Sequence, residues 1–288
     1  MKIEDKIKAK KDLIERELER ILGEYKGELV HSMKYSVFSG GKRFRPILVL
    51  ATCECFGGDC KEALPFACAV EFIHNYSLIH DDLPALDNDD FRRGKPSCHK
   101  AFGEDVAILA GDALLTLAFE VLSNSSLGKG RLESKCEVIK EISQSAGISG
   151  MIGGQYLDIK LSTEDFKWTD YHALVLKKTG RLISASVRTG ALLGGASREE
   201  IKAVSEYAEN LGFAFQIRDD ILDSHEDIKD GKLISPNEVF FHGREGARKE
   251  LFKYVNSAVK ALDRNLIKSE ELRYLALKIL EVERSHDK

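Results

Sequence analysis

The hydrophobic residues of this chain recur at intervals of three and four positions, which is the spacing of one face of an α-helix. Near the N-terminus this spacing is carried by Leu13, Ile14, Leu18, Ile21 and Leu22. A second run, from Ile201 to Leu211, follows Ser197-Arg198-Glu199-Glu200, whose serine and second glutamate have the spacing of a helix-capping box. The periodicity therefore predicts helices over most of the chain.

Glycine pairs mark the points where these helices end. The helical spacing is interrupted at Gly57-Gly58, Gly128-Lys129-Gly130 and Gly194-Gly195. None of the five prolines begins an alternating apolar and polar run of the kind that a β-strand shows. No low-complexity segment or linker divides the chain, so we predict one all-α domain over residues 1–288.

Composition narrows the classes of function. A net charge of −4, with 43 basic and 47 acidic side chains, argues against a dedicated nucleic-acid-binding protein. The six cysteines lack a paired Cys-x-x-Cys with a suitable histidine, so we expect reduced thiols rather than a zinc site. The lysine- and glutamate-rich N-terminus has no signal-peptide core, and no apolar run approaches the ~20 residues of a membrane span. We therefore expect a soluble, cytoplasmic protein.

Two aspartate clusters carry the strongest chemical signal. Asp219-Asp220-Ile221-Leu222-Asp223 begins 138 residues after Asp81-Asp82-Leu83-Pro84-Ala85-Leu86-Asp87. Crowded carboxylates are costly to bury without counter-charge, and hard oxygen ligands favour Mg²⁺, which commonly joins carboxylates to substrate phosphates. Either cluster alone could be an acidic helix end in solvent. Together they predict a diphosphate ester held through magnesium between two acidic sites.

Helical geometry places the two clusters differently. Asp219 and Asp223 are four residues apart and share one helix face. Asp81 and Asp87 are six apart, and Pro84 cannot continue a regular helix. We therefore expect the chain to leave the helix near Asp82 and to return Asp87 toward the metal through a short loop.

Basic residues near these clusters suit an anionic ligand. Gly40-Gly41-Lys42-Arg43-Phe44-Arg45-Pro46 predicts a flexible loop that enters a helix with Pro46 at its first position, where Lys42 and Arg45 would bind a diphosphate. His74 lies seven residues before Asp81, on nearly the same helix face. The simpler alternatives are a solvated basic loop and a packed core histidine.

Two further groups extend this pattern. Arg92-Arg93 follows the first cluster and could either bind phosphate or compensate the neighbouring acids. Lys178-Thr179-Gly180-Arg181 is predicted to lie late in a helix opened by Thr169 or Asp170. Gln216, three residues before Asp219, is expected to line the same cavity.

Together these motifs resemble those of the trans-prenyl diphosphate synthases, most closely the bacterial farnesyl diphosphate synthase type. The likeness is carried, in the family's order, by Gly40–Pro46, the stretch from Tyr76 to Pro96, Gly153-Gly154-Gln155, Lys178-Thr179-Gly180 and Phe215–Asp223. It implies an isoprenoid synthase-type helical bundle around a deep central cavity, usually a homodimer. It also implies a transferase that condenses isopentenyl diphosphate with dimethylallyl or geranyl diphosphate.

The resemblance implies a role for each motif residue. The diphosphate of isopentenyl diphosphate would be bound by Lys42, Arg45, His74 and Arg93. The allylic diphosphate would be bound by Arg92, Lys178 and Lys232, with Thr179 and Gln216 beside the reacting carbons. Magnesium, as about three ions per site, would be bound by Asp81, Asp82, Asp87, Asp219 and Asp223. Catalysis would then rest on Lys178, Thr179 and Gln216, and the departing diphosphate itself would accept the proton.

One segment departs from the family pattern. The loop Asp230–Phe240 keeps Lys232 but is several residues shorter than expected and lacks the Lys-x-Thr-Tyr-Pro run. Two rival functions are a terpene cyclase, which normally lacks the second aspartate cluster, and a non-catalytic partner subunit of a heteromeric synthase. Because the chain retains both clusters and Lys42 with Arg45, the sequence favours the synthase.

The length of the product depends on the helix that carries Asp81. Tyr76 lies five residues upstream, about 7.5 Å along the helix axis, and only Ser77 stands beside it. In the resembling family an aromatic residue at this place goes with the C15 product, so we predict farnesyl diphosphate. The alternatives are geranylgeranyl diphosphate as the product and an ordinary core tyrosine whose hydroxyl is satisfied.

Overall fold

The computed structural model describes residues 2–128, 130–160, 167–223, 228–229, 232–233, 237–265 and 267–281, with only the backbone of 228–229 and 232–233. The α-helices are α1 (Ile3–Gly23), α2 (Glu28–Val37), α3 (Phe44–Cys55), α4 (Cys60–Asp81), α5 (Cys98–Phe102), α6 (Glu104–Asn124), α7 (Leu132–Ala146), α8 (Met151–Lys160), α9 (Trp168–Val175), α10 (Arg181–Gly194), α11 (Arg198–Asp223), α12 (Glu238–Arg264) and α13 (Glu270–Lys278). A π-helical turn, Leu176–Gly180, joins α9 to α10.

Helix α4 lies at the centre of the bundle and contacts α1, α2, α3, α6 and α10. Four consecutive residues, Ala67 to Val70, are all 0% exposed, so the helix is buried around its whole circumference. Phe66 and Phe72 are fully buried as well and join the same hydrophobic core. This packing holds the C-terminal end of α4, where Asp81 lies, in a fixed place.

The helices predicted from hydrophobic spacing are confirmed. Ile14, Leu18, Ile21 and Leu22 are the buried apolar residues of α1, and Leu13 packs beside them. The capping box is present: Ser197 donates its backbone N–H to Glu200 Oε2 at 2.8 Å, and the Glu200 N–H donates to Ser197 Oγ at 3.2 Å. The all-α prediction is correct.

Local details differ from the sequence-based expectations. Two short antiparallel ribbons were not predicted: β1 (Phe91–Arg92) pairs with β2 (Lys95–Pro96), and β3 (Ile228–Lys229) pairs with β4 (Lys232–Leu233). Helix α3 begins at Phe44, so Pro46 is its third residue rather than its first, still within the turn that needs no intrahelical N–H donor. Helix α9 begins at Trp168, and Asp170 accepts the Lys167 N–H from its third position.

Helix α6 is long and apolar enough to qualify the expectation that no apolar run approaches the length of a membrane span, although Asp112 and Glu120 interrupt its apolar residues. Glu104–Asn124 has 21 residues and a mean hydropathy of 1.8 over its most apolar window, so it passes that test by length and composition alone. A core helix of a globular protein passes the same test. Gly111 on α6 touches the His80 ring, whose Nε2 lies 3.0 Å from the Ile108 carbonyl, so α6 packs directly against α4.

Candidate active site

The first aspartate cluster leaves its helix as the sequence predicted. Helix α4 ends at Asp81, and the Asp87 N–H donates to the Asp81 carbonyl at 2.9 Å, closing a tight loop. Asn88, directly after it, takes a left-handed conformation with φ of 55°, which turns the chain into β1. The loop therefore returns Asp87 to the end of α4.

At Asp81 and Asp219 the neighbouring positive charge does not offset the cost of burying an ionised carboxylate. Burial raises the pKa of Asp81 to about 7, with Asp87 adding to the effect and Lys178 opposing it. On α11, burial raises the pKa of Asp219 to about 6, with Asp223 adding to the effect and Arg218 opposing it. Each site therefore favours an added cation.

The carboxylates fit a hard divalent metal, because their donors are oxygens and their counter-charge is incomplete. Among the described residues, no group of three or more metal-ligating side chains converges on one point. Each acidic site thus offers few ligands by itself. Oxygens from a bound diphosphate would be needed to complete the coordination.

Asp82 differs from its neighbour Asp81. It is 2% exposed, and its Oδ1 accepts hydrogen bonds from Arg92 Nε at 2.9 Å and from Arg92 Nη2. Arg92 Nη2 also donates to Asp89 at 2.8 Å. These bonds end on Oδ1 of Asp82, so the predicted metal ligation by Asp82 stays a prediction, and the alternative of charge compensation applies to Arg92.

A cavity of about 760 Å³ brings the predicted anion-binding residues together. Its lining includes Lys42, Arg45, His74, Arg92, Arg93, Thr179, Phe215, Arg218 and Asp219. Arg43, between Lys42 and Arg45, adopts a left-handed conformation, and its buried guanidinium pairs with Glu15 and Glu71 at 2.8 and 2.7 Å. Sequence reasoning missed this anchor, whose partners lie 28 residues away on either side.

Arg45 and His74 form the inner wall of this cavity. Arg45 Nη1 donates to His74 Nε2 at 3.4 Å, and the guanidinium lies over the Phe215 ring with 5.6 Å between its Cζ and the ring centroid. Burial, together with Arg45 and Arg93, holds the pKa of His74 well below its usual range, so the ring is neutral. Arg45 Nε is buried without a hydrogen-bond partner in the described part of the chain, which suits an incoming anion.

Arg93 reaches the same cavity across the glycine loop. Its Nη1 donates to the Gly40 carbonyl, and a Cβ placed on Gly41 would lie 3.0 Å from that nitrogen. Gly41 also has a φ of 128°, a conformation that other residues rarely adopt. The two glycines thus leave room for Arg93 beside Lys42 and Arg45.

A second cavity, of about 380 Å³, lies next to the first, and Arg45, His74, Leu78 and Thr179 line both. Asp81 and Lys178 stand in its wall, and Met151, Ile152, Tyr156 and Ile159 of α8 supply apolar surface. Tyr76 and Ser77 also line it. Tyr76 is 5% exposed, and its hydroxyl is buried without a hydrogen-bond partner among the described residues, unlike the satisfied core tyrosine considered above.

Lys178 and Thr179 lie in the π-helical turn, a feature that often occurs at functional sites. Lys178 Nζ donates to Asp158 Oδ2 on α8 at 2.6 Å. Burial alone would lower the pKa of Lys178, but Asp158 and Asp81 together raise it, so the lysine is charged. Asp158 was not predicted, although it follows the Gly153-Gly154-Gln155 motif closely.

Close backbone contacts set the position of this turn. A Cβ on Gly154 would lie 2.4 Å from the Lys178 nitrogen, and one on Gly212 would lie 2.8 Å from Gly180 Cα. Glycine at both places lets α8 and α11 approach the turn from two sides. Thr179 Oγ1 can then donate to Gln216 Oε1 at 2.7 Å, so Gln216 contacts the cavity wall through Thr179.

Comparison with known proteins identifies the family. A family model described as polyprenyl synthetase matches residues 26–234. Over 225 residues the chain is 43% identical to the farnesyl diphosphate synthase of Geobacillus stearothermophilus, with 77% of this chain and 76% of the relative covered. The chain belongs to the polyprenyl synthetase family.

Other proteins similar to this polyprenyl synthetase are named for different prenyl diphosphate products. It is 50% identical over 195 residues to the geranylgeranyl diphosphate synthase of Cyanophora paradoxa, covering 67% of this chain and 64% of the relative. The apo crystal structure of an FPP/GFPP synthase from Zymomonas mobilis matches it with a TM-score of 0.87 and 36% identity, covering 96% of this chain and 98% of that one. The protein is thus a transferase, and trans-prenyl diphosphate synthase activity is the function these likenesses support.

The remaining predicted residue of this polyprenyl synthetase, Lys232, belongs to β4 by its backbone, and its side chain lies outside the described part of the structure. Most of the shortened loop between Asp223 and Asn237 lies outside it as well.

Proposed function

We propose that this protein condenses isopentenyl diphosphate with dimethylallyl and geranyl diphosphate, giving mainly farnesyl diphosphate. The observation that carries the proposal is the pair of adjacent cavities: cations and acidic side chains line the first, and the second, which shares Arg45, His74 and Thr179 with it, is largely apolar and lined by Tyr76. Such a shape suits a diphosphate at one end and a hydrocarbon chain at the other. We take residues 1–288 to act as a single polyprenyl synthetase domain.

Isopentenyl diphosphate would be bound by Lys42, Arg45, His74 and Arg93 in the first cavity. Arg45 offers a planar fork to two phosphate oxygens, and its unpartnered Nε supplies one of the donors. Neutral His74 would orient Arg45 rather than carry charge, because its Nε2 already accepts from the guanidinium. This diphosphate stays intact, so these residues act in binding.

The allylic diphosphate would lie between Lys178 and the two acidic sites, with Lys232 assigned to it by family pattern. Asp81, Asp87, Asp219 and Asp223 would hold Mg²⁺, three ions by the same pattern, and the bound metal would neutralise the diphosphate as it leaves. Asp82 would hold Arg92 beside this site through Oδ1, and it remains a candidate metal ligand, directly or through water, by its second oxygen.

The chain's own residues then favour the separation of charge. Charged Lys178 stabilises the leaving diphosphate, and the oxygen of Thr179 faces the carbon that becomes positive. The double bond of isopentenyl diphosphate attacks that carbon, and the new cation loses a proton. We assign this proton to the departing diphosphate, as the family pattern implies.

The C15 product is assigned on Tyr76. Its ring lines the apolar cavity on the same helix as Asp81, where it would limit a growing chain. Geranylgeranyl diphosphate is the second candidate product, and the Cyanophora paradoxa likeness favours it.

Exposed Ile108 and Leu109 on α6 support a homodimer. We place the enzyme in the cytoplasm.

The decisive experiment incubates purified protein with labelled isopentenyl diphosphate, each allylic diphosphate and magnesium. We expect diphosphate release only when both substrates are present, a C15 product on chromatography, and no turnover in EDTA. Release from one prenyl diphosphate alone would indicate a cyclase, and release only with an added second chain would indicate a partner subunit.

The product assignment has its own test. Tyr76→Ala should lengthen the product toward C20, whereas Tyr76→Phe, which keeps the ring and loses the hydroxyl, should leave it at C15. A C20 product from the wild type would overturn the farnesyl assignment, and an unchanged product in Tyr76→Ala would remove this ring from the chain-length role.

A further inference from the structure

The middle aspartate of the second cluster, Asp220, is turned around α11 from Asp219. Consecutive helical residues are ~100° apart, so Asp220 lies about 100° from Asp219 and about 60° from Asp223, and Gln216 lies between Asp223 and Asp220 around the helix. Asp220 is 6% exposed. Within the described part of the chain, its two oxygens accept hydrogen bonds from α9, from α11 itself and from α12.

These bonds join Asp220 to the reacting end of the cavity. Asp220 Oδ1 accepts from Gln216 Nε2 at 2.8 Å, and Oδ2 accepts from the Glu238 N–H at 2.8 Å and from the Tyr171 hydroxyl. Gln216 Oε1 in turn accepts from Thr179 Oγ1 at 2.7 Å. Thr179 lines both cavities.

We propose that Asp220 is a positioning residue for prenyl transfer, which fixes the direction of the Gln216 amide and so aims the lone pairs of the Thr179 hydroxyl into the cavity. The proposal rests on the prenyl transfer proposed above. It assigns Asp220 neither to the metal nor to the substrate.

The directions of these hydrogen bonds follow from one backbone amide together with an ionised Asp220. Glu238 is the first residue of α12, where an N–H has no acceptor within its own helix and can only donate, so Oδ2 is an acceptor. A carboxylate offers acceptors only, so Gln216 must present its NH₂ group to Oδ1. Gln216 then presents its oxygen to Thr179.

Thr179 must therefore donate its hydroxyl proton to Gln216 Oε1. Its oxygen keeps two lone pairs, which can face the allylic carbon as positive charge develops there. An oriented oxygen favours that charge, whereas a hydroxyl proton pointing into the cavity would oppose it. The direction of the amide thus matters to the ionisation step and little to the binding of either diphosphate.

Asp220→Asn reverses the donor and acceptor roles along this series of hydrogen bonds. The new amide must keep its oxygen toward the Glu238 N–H, so its NH₂ group faces Gln216. Gln216 must then turn its amide by ~180° to accept, and its NH₂ group now donates to Thr179. The Thr179 hydroxyl then accepts from Gln216 instead of donating to it, and its proton points into the cavity. We expect kcat to fall about 10- to 100-fold, with KM for both substrates within about threefold of wild type.

The exchange variant Gln216→Glu/Asp220→Asn provides the sharpest test. The carboxylate introduced at position 216 accepts both from the amide introduced at position 220 and from Thr179, so the original directions return with the same total charge. Gln216→Glu alone sets two carboxylates against each other and should be impaired. We expect the exchange variant to be at least about fivefold more active in kcat than either single variant.

Two controls separate positioning from other roles. Tyr171→Phe removes one donor to Asp220 but leaves the Gln216 direction unchanged, so kcat should stay within about threefold. The magnesium concentration giving half-maximal rate should be the same in Asp220→Asn as in wild type, whereas loss of a metal ligand would raise it. Thermal unfolding of each variant shows whether the folded protein is being compared.

The outcomes distinguish this inference from the function on which it rests. A wild type that turns over no pair of prenyl diphosphates would end the proposed function. With an active wild type, an unchanged kcat in Asp220→Asn, a raised magnesium requirement, or an exchange variant no better than the single ones would each overturn the role of Asp220. If Asp220→Asn does not fold, comparing kcat of the exchange variant with kcat of Gln216→Glu still tests the role of Asp220.

Discussion

The raised pKa of Asp81 predicts that this carboxylate destabilises the protein when no metal is bound. Its pKa moves from 3.8 to about 7, chiefly through burial. At about 1.36 kcal/mol for each pKa unit, ionised Asp81 costs the folded state at most about 4 kcal/mol at pH 8. Asp81 is only half-buried by its surface area, so we expect about 2 kcal/mol to remain.

Asp81→Asn removes that charge and should stabilise the metal-free protein. An unfolding entropy of about 2.1 cal/mol/K per residue gives about 0.6 kcal/mol/K for this chain, so Tm at pH 8 in EDTA should rise by roughly 3 °C. Below pH 3.8 the wild-type carboxyl is protonated in both folded and unfolded states. Stability then falls as pH rises from there to about 7, so at pH 5 the gain should be less than half its value at pH 8.

Scanning calorimetry at pH 5 and pH 8 in EDTA measures this gain. Asp90→Asn is the matched control, because the bond from Lys100 lowers the pKa of Asp90 and its removal should not stabilise. Magnesium with inorganic diphosphate should reverse the order and favour the wild type. No gain at pH 8, or an equal gain at both pH values, would refute the reasoning.

Three further outcomes are expected. The magnesium concentration for half-maximal rate should fall as pH rises from 6 to 8, because Asp81, with a pKa of about 7, must lose its proton to bind metal; a flat profile would contradict this. Arg45→Ala should mainly raise KM for isopentenyl diphosphate and Lys178→Ala should mainly lower kcat, each by about tenfold or more, which steady-state kinetics with both substrates varied would separate. Gly154→Ala should lower both Tm and kcat, because its Cβ would meet the Lys178 backbone at 2.4 Å, while Gly23→Ala, with open space around it, should not.

Features that depend on residues close together in the chain could be predicted from the sequence. The buried face of α1 and the capping box at Ser197 follow from helical periodicity and from side-chain reach within one turn. The loop after Asp81 followed from Pro84 in the same way. The geometry of each element is set by residues a few positions apart in the chain, and the structure confirms these predictions.

Features that depend on contacts between distant segments could not be predicted. The π-helical turn at Lys178 is enclosed by glycines of α8 and α11, and neither approach is encoded near the turn itself. Asp158 gains its importance only because α8 brings it 2.6 Å from Lys178 Nζ. Motif likeness located the residues of the site, but the partners that hold them came from the tertiary structure.

The two aspartate clusters follow one geometrical rule that their sequences only suggest. In each adjacent pair the first carboxylate, Asp81 or Asp219, lines a cavity. The second, Asp82 or Asp220, is turned about 100° around the helix and lies buried at 2% or 6% exposure. There it accepts hydrogen bonds from a polar side chain, Arg92 in one case and Gln216 in the other. A pair of adjacent aspartates thus supplies both a cavity-facing carboxylate and an internal anchor, which a single aspartate could not do.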